Sequence, residues 1–382
     1  METIYLDNAA TTFPKPPEVI KAVTDCLNNY AVNPQRGRNS LVERATAQME
    51  VARTKLAGQF GASAGQLVFV PSATYGINLV MQGCPLRRGD TIYVSPFEHN
   101  AVVRCAEHLR ASKGIQWRLL PIDRDLSLDS DRMCRAFEFD RPSLVVVTHV
   151  TNVTGDFLPI KPIIDASHRY GAKVLVDAAQ TVGCYTPTLP EHNYDYLTFS
   201  SHKGLYGMPG AGGVIIRHPA QELSPLVYGG TGIRSEEIAM PTSLPDRFEA
   251  GTAPLPAILS MLAGAEWLGS IGFESISKKQ MHLRKLLVSG LHEIYGITVH
   301  GSYTADNIGT VAFTSDIYSP QELNVLLDDK GICVRSGLHC APLAHKTLGT
   351  FSLGVVRVSF SWFNVAEDIN TLLRVLRVAS ES

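Results

Sequence analysis

Leu197-Thr-Phe-Ser-Ser-His-Lys203-Gly-Leu-Tyr-Gly-Met-Pro-Gly-Ala-Gly-Gly213 reads as a short apolar strand, one lysine, a glycine-rich turn and the start of a second strand, Val214-Ile-Ile-Arg217. Alone, Lys203 reads first as a solvated lysine at a strand-to-loop corner. Burial would lower its pKa and make it an amine nucleophile able to form a Schiff base with an aldehyde. Upstream, Val174-Leu-Val-Asp177-Ala-Ala-Gln180 reads as a buried strand ending in a carboxylate. The C-terminal end of a parallel strand is where α/β sheets place ligands. A strand-end aspartate and a later lysine are the two protein groups that pyridoxal phosphate (PLP) needs. The lysine holds the aldehyde, and the carboxylate keeps the pyridine nitrogen protonated so that the ring can accept electrons.

The alternation continues outward from this pair. Strands are predicted at Leu67–Val70, Thr91–Val94, Gln116–Leu120, Leu144–Thr148, Val174–Val176, Tyr196–Phe199 and Gly213–Arg217, with helical spacing at Thr74–Met81, Ala101–Ser112 and Ile163–Tyr170. Several strands are near-continuous apolar runs, as expected where both faces are covered, so the fold class is α/β with a mainly parallel sheet. Before it, a helix is predicted over Glu18–Leu27, and a second opens at Ser40, an apparent N-cap with Glu43 three residues on, and runs to about Phe60. Ser224 to Leu255 is rich in Gly, Pro, Ser and Thr and reads as a long functional loop. Helices follow at Ala257–Ile271 and Glu274–Leu291, the latter with an interruption near Gly290. Strands at Thr310–Phe313, Ile332–Arg335 and Val355–Phe360 and helices at Pro320–Leu327 and Val365–Leu376 make the remainder a separate α+β unit.

With 382 residues, 45% of them hydrophobic and 18% charged, the chain is long enough for two domains. A net charge of −2 offers no field to attract nucleic acid or an anionic membrane, and the apolar runs are too short to span a bilayer. Seven cysteines without paired spacing, and no export-like segment, lead us to expect free thiols in a reducing cytoplasm.

Asp177-Ala-Ala-Gln180, Ser200-Ser-His202-Lys203, Arg335-Ser-Gly-Leu-His-Cys340-Ala-Pro342, Tyr5-Leu-Asp-Asn-Ala-Ala-Thr-Thr12 and Arg247-Phe-Glu-Ala-Gly-Thr252 together resemble the class V aminotransferase-like PLP enzymes, and within them the cysteine desulfurases. The resemblance runs from about Tyr5 to Asp368 in the family's order. It implies a PLP-dependent transferase of fold type I. Residues 14–255 would be the large PLP-binding domain, and residues 1–13 with 256–382 the small domain carrying the cysteine loop.

The resemblance also implies roles. Thr74, Ser200 and His202 would hold the PLP phosphate, although Ala73 stands where the family often has a second hydroxyl. His99, which alone reads as a structural histidine, would stack on the pyridine ring and shuttle protons. Asn152 and Gln180 would make polar contacts near the ring oxygen and the substrate. Gly251-Thr252 would complete the phosphate site of a neighbouring subunit, so a homodimer is expected. Arg357, an arginine in an apolar strand, needs an anion: either the substrate carboxylate or a structural salt bridge. Arg335 and Arg36 are further candidates for the substrate mouth. Cys340 alone reads as a structural thiol. Flanked by Arg335 and His339, both able to favour a thiolate, it would be the thiol that takes sulfur from the substrate. A zinc site at His339, Cys340 and His345 lacks the usual paired spacing, so no metal is expected.

The expected reaction is conversion of L-cysteine to L-alanine with a persulfide on Cys340, serving a sulfur-acceptor protein. Lyases of selenocysteine or cysteine sulfinate are the alternatives within the family. A non-catalytic scaffold on the same fold is the alternative outside it, and a nucleotide-binding protein would need a glycine fingerprint that Ser72-Ala-Thr-Tyr-Gly76 does not provide.

Overall fold

Seven strands make the central sheet, in the spatial order β2-β8-β7-β6-β5-β3-β4. They are β2 (Leu67–Val70), β3 (Thr91–Val94), β4 (Gln116–Leu119), β5 (Pro142–Thr148), β6 (Lys173–Asp177), β7 (Tyr196–Ser200) and β8 (Gly212–Ile216). The two-residue β1 (Ile4–Tyr5) lies outside this sheet. Pairings β4–β3, β3–β5, β5–β6 and β6–β7 are parallel, whereas β8 runs antiparallel to both β7 and β2. The structure is a computed structural model and describes residues 3–35, 37, 39–184, 189, 191, 193–233, 236–302 and 307–381.

Helices α1 (Pro17–Asn29), α2 (Ser40–Gly58), α3 (Ala73–Gly83), α4 (Asn100–Lys113), α5 (Ser130–Phe139) and α6 (Ile160–Arg169) flank the sheet, and α7 (Leu255–Ile271) lies against α1 and α2. Strands β5, β6, β7 and β8 are almost wholly buried, which is why they read as continuous apolar runs. The cap of α2 differs from expectation. Asn39, not Ser40, is the N-cap, and its side chain accepts from the N–H groups of Leu41 and Val42.

The second sheet has the order β12-β13-β10-β9 and is antiparallel throughout. It comprises β9 (Ile297–His300), β10 (Thr310–Ser315), β12 (Arg335–Gly337) and β13 (Val355–Ser359), with β11 (Ile332–Cys333) pairing instead, in parallel, with β1. Helices α8 (Phe273–His292), α9 (Pro320–Asp328), α10 (Pro342–Leu348) and α11 (Ala366–Ser380) complete it. The strand expected over Ile332–Arg335 is thus two, divided at Val334 so that Arg335 turns into the second sheet. The interruption expected at Gly290 is absent: α8 continues to His292. Gly290 is there for close approach, since a Cβ at this position would lie 2.3 Å from Leu373 Cδ1 on α11.

The long loop from Ser224 carries neither helix nor strand among the described residues. Its anchor is buried. Arg53 of α2 donates through Nη1 and Nη2 to both oxygens of Glu249, at 2.7 and 2.8 Å, and Phe69 N–H donates to the same carboxylate at 2.6 Å. This bidentate pair fixes the loop two residues before Gly251-Thr252. Among the described residues no single helix is long and apolar enough to cross a membrane. The α7–α8 pair, bent by 82°, passes on length and composition, but α7 is apolar because it is buried.

Candidate active site

A cleft opens at the C-terminal ends of the parallel strands. Thr148, Asp177 and Ser200 are the last residues of β5, β6 and β7, and all three line it. Lys203 follows β7 by one turn and also lines it. Asp177 is buried; its Oδ1 accepts from Ala179 N–H at 2.9 Å. Burial pushes its carboxyl above the usual range, and the Lys203 charge and the Ala179 N–H work against this. Burial likewise lowers the Lys203 ammonium; Asp177 opposes that shift, whereas Arg357 and Arg335 add to it. At a given pH more of this amine is therefore neutral than in an exposed lysine.

The first turn of α3 faces the same cleft through Ser72, Ala73 and Thr74. Ser200 Oγ accepts from Ala73 N–H at 2.9 Å, tying that turn to the end of β7. A helix N-terminus with hydroxyls beside it is a natural seat for a phosphate. His202 is held neutral, its pKa pushed down to about 4 by burial and then by Lys203 and Lys15.

His99 is the N-cap of α4, with Nδ1 accepting from Ala101 N–H at 3.0 Å. Nδ1 is therefore the unprotonated nitrogen, and Nε2 carries the hydrogen. Burial, followed by the Lys203 and Arg335 charges, lowers its pKa to about 4. What it presents is a neutral ring, not a base. Asn152 and Gln180 each commit one end of the amide: Asn152 donates to His339 C=O at 2.8 Å, and Gln180 to Ala9 C=O at 3.0 Å.

Arg357, fully buried in β13, donates through Nη1 to Asn152 C=O at 2.9 Å and through Nη2 to Asp7 at 2.5 Å. The salt bridge considered from sequence is therefore real, and Asp7 is its anion. Arg357 and Arg335 both line the cleft, and Arg335 Nη2 lies 3.9 Å from Cys340 Sγ. Cys340 is exposed and left-handed, at φ 56°, and its C=O accepts from Asn100 N–H at 2.6 Å. His339 lines the cleft but cannot favour a thiolate by charge, contrary to expectation. It is buried, stacked on His345, and burial drives its pKa down to about 2, so it stays neutral. The charged group beside Cys340 is Arg335.

Thr252 lines a different cavity, with Asn33 and Phe69, and accepts there from Asn33 Nδ2 at 3.4 Å. Within one chain it is not brought to the cleft. Arg36 lies outside the described residues.

Sequence reasoning passed over four contributors. Thr11 Oγ1 donates to His202 C=O at 3.0 Å and Thr12 Oγ1 to Lys203 C=O at 3.1 Å, so the N-terminal segment grips the backbone of the lysine turn. Lys15, its pKa pushed down to about 8 by burial, donates to Thr12 Oγ1 at 2.9 Å. Glu98, beside His99, is wholly buried; one oxygen accepts from Ser95 Oγ and from Thr148 N–H, both at 2.6 Å, and the other has no partner. Burial raises the Glu98 pKa from 4.5 to about 8. The folded protein thus binds this proton more tightly than the unfolded chain does. The stability this contributes is complete below about 4.5 and lost as pH rises through about 8. Glu98→Gln, always neutral, should gain thermal stability relative to the parent protein between about pH 5 and 9. Parallel melting profiles across that range would show that Glu98 is ionised in the fold.

The family model for class-V aminotransferases matches residues 4–372. The chain belongs to the class-V aminotransferase family. Enzymes of this family depend on PLP, and the buried carboxylate, the lysine of lowered pKa and the hydroxyl-lined helix start fit that cofactor. Among relatives of this class-V chain, a probable cysteine desulfurase of Methanothermobacter thermautotrophicus is 34% identical, over 97% of this chain and 92% of the relative. A cysteine desulfurase of Escherichia coli is 32% identical over 98% and 92% respectively. A solved apo structure of cysteine desulfurase from Thermococcus onnurineus superposes with a TM-score of 0.92 at 30% identity, covering 99% of this chain and 95% of that one. The two-sheet arrangement with its cleft is thus a class-V aminotransferase architecture of PLP fold type I.

Proposed function

We propose that this protein is a PLP-dependent cysteine desulfurase, converting L-cysteine to L-alanine and leaving the sulfur as a persulfide on Cys340. The observation that carries this reading is an exposed thiol beside Arg335, one residue past the cleft-lining His339, over a cleft that holds Lys203 and Asp177. When bound, the cofactor would supply an electron sink conjugated with the substrate Cα. Lys203 would hold the cofactor aldehyde, and its amine, when free, would move the substrate Cα proton. His99, with Nδ1 already committed, lends a ring face and an N–H rather than a base. Asp177 would keep the ring nitrogen protonated, and Thr74, Ser200 and His202 would hold the phosphate. Asn152 and Gln180 would border the ring and the substrate. Arg357 would take the substrate carboxylate, with Arg335 and His339 around the mouth.

Cys340, as a thiolate beside Arg335, would attack the substrate sulfur. An S–S bond forms as the C–S bond breaks. The electron pair returns to the substrate carbon, which takes a proton and becomes the methyl group of alanine. The persulfide would then pass to a thiol or a sulfur-acceptor protein. The purified protein, supplied with PLP, L-cysteine and dithiothreitol, should release alanine and sulfide in equal amounts; alanine formed from selenocysteine but not from cysteine would make it a selenocysteine lyase instead.

Thr252, remote from its own cleft, is read as completing the phosphate site of a second copy, which makes the active species a C₂ homodimer. Sedimentation of the active enzyme should give the dimer mass, and a fully active monomer would overturn this assignment.

A further inference from the structure

Arg335 and Arg357 are direct cross-strand partners on β12 and β13. Two like charges facing each other across an antiparallel pair destabilise it unless an anion lies between them. The resident anion is Asp7, whose carboxylate accepts from Arg357 Nη2. Asp7 is held in place by a parallel bridge to Ser359, two residues beyond Arg357 on the same strand. One carboxylate against two guanidinium groups leaves the site one charge short. The geometry shows where the deficit lies. Arg357 is 1% exposed and lines the cleft, and its Nε–H is buried with no acceptor, while Nη1 and Nη2 are both engaged. An orphaned donor on a buried guanidinium is costly unless something periodically fills it.

We propose that Asp7 is a resident counterion that keeps Arg357 aimed and half-neutralised, so that the arginine pair accepts one further carboxylate, that of an amino-acid substrate, without holding it too tightly. This rests on the reading of Arg357 as the carboxylate clamp. Asp7 acts through Arg357 and is a positioning residue. Between turnovers it spares the guanidinium from rotating or collecting stray anions. During turnover its negative charge repels the incoming carboxylate and so hastens departure of the product.

Two consequences separate this role from a merely structural one. Asp7→Asn keeps an oxygen to accept from Nη2 but removes the charge. If Asp7 only held Arg357 in place, this change would weaken carboxylate binding or leave it alone; if Asp7 is a counterion, it strengthens it. The probe is propionate, which has a carboxylate but neither the amine nor the thiol, titrated calorimetrically into the PLP-loaded enzyme. Asp7→Asn should bind propionate about five- to tenfold more tightly than the parent protein, an effect that shrinks with added salt. Asp7→Glu should restore the parent affinity. In turnover of cysteine, KM should fall in Asp7→Asn with no rise in kcat. Propionate binding in Asp7→Asn equal to or weaker than in the parent overturns the proposal, as does undiminished binding in Arg357→Lys. If the parent releases no alanine from cysteine yet Asp7→Asn still tightens propionate, the desulfurase reading falls and the counterion stands.

Discussion

Lys203→Ala should lose at least about three orders of magnitude in turnover while the fold stays intact. Among the described residues the amine is the only lysine nitrogen lining the cleft that holds Asp177. Lys15, which donates to the carbonyl of neighbouring His202, is committed there and to Thr12. The phosphate-facing turn of α3 is untouched by the change, so the variant should still bind PLP, without a covalent link. Borohydride treatment followed by peptide mapping makes the difference visible: the parent protein should carry reduced cofactor on Lys203 and the variant none. Turnover within tenfold of the parent would remove Lys203 from the chemistry.

Cys340→Ala should cost a similar or larger factor with L-cysteine, on the order of 10³ or more, because covalent catalysis is lost outright. No other thiol can take over. Of the seven cysteines, Cys340 alone is exposed. Burial pushes Cys84 and Cys105 up to about 12 and Cys184 up to about 11. Cys333 is raised by burial and then by Asp328 and Asp7. With selenocysteine the same variant should keep part of its activity, since selenium can leave without a protein thiol. Alanine released from cysteine at the parent rate would make Cys340 a structural residue and end the persulfide mechanism, though not the assignment to the family.

The parts of the fold that the sequence discloses are those governed by local pattern. β2 and β3 run over the expected residues because buried parallel strands are unbroken apolar runs bounded by turns. Asp177 and Lys203 are legible for the same reason: each follows such a run, where a charged residue needs explaining. β9 was not seen, since Ile297-Thr-Val-His300 is a short, partly exposed edge with no clean alternation. α10 was hidden by Pro342, which reads as a break but here sits in the first turn of a seven-residue helix. The electrostatics were least legible. That His339 is neutral, that Glu98 keeps its proton and that Asp7 faces Arg357 all depend on groups brought together from distant parts of the chain. Asp7 stood inside a recognised motif and Glu98 beside a candidate histidine, but nothing local marks a carboxylate as buried or paired.

The pairing of the N-terminal segment with Arg357 and β11 also bears on the order in which the molecule is completed. Asp7 and its arginine are 350 positions apart, and β1 finds its partner only in β11. At about 5–20 residues per second of synthesis, the first segment made must wait roughly 20 to 70 seconds for the last strand it joins. The seven-stranded sheet can form in that interval; the Asp7–Arg357 pair cannot. The counterion is thus the late part of the cleft to be emplaced, after the groups on the large sheet. A nascent chain stalled before β13 carries Asp177 and Lys203 and still lacks the arginine that Asp7 meets.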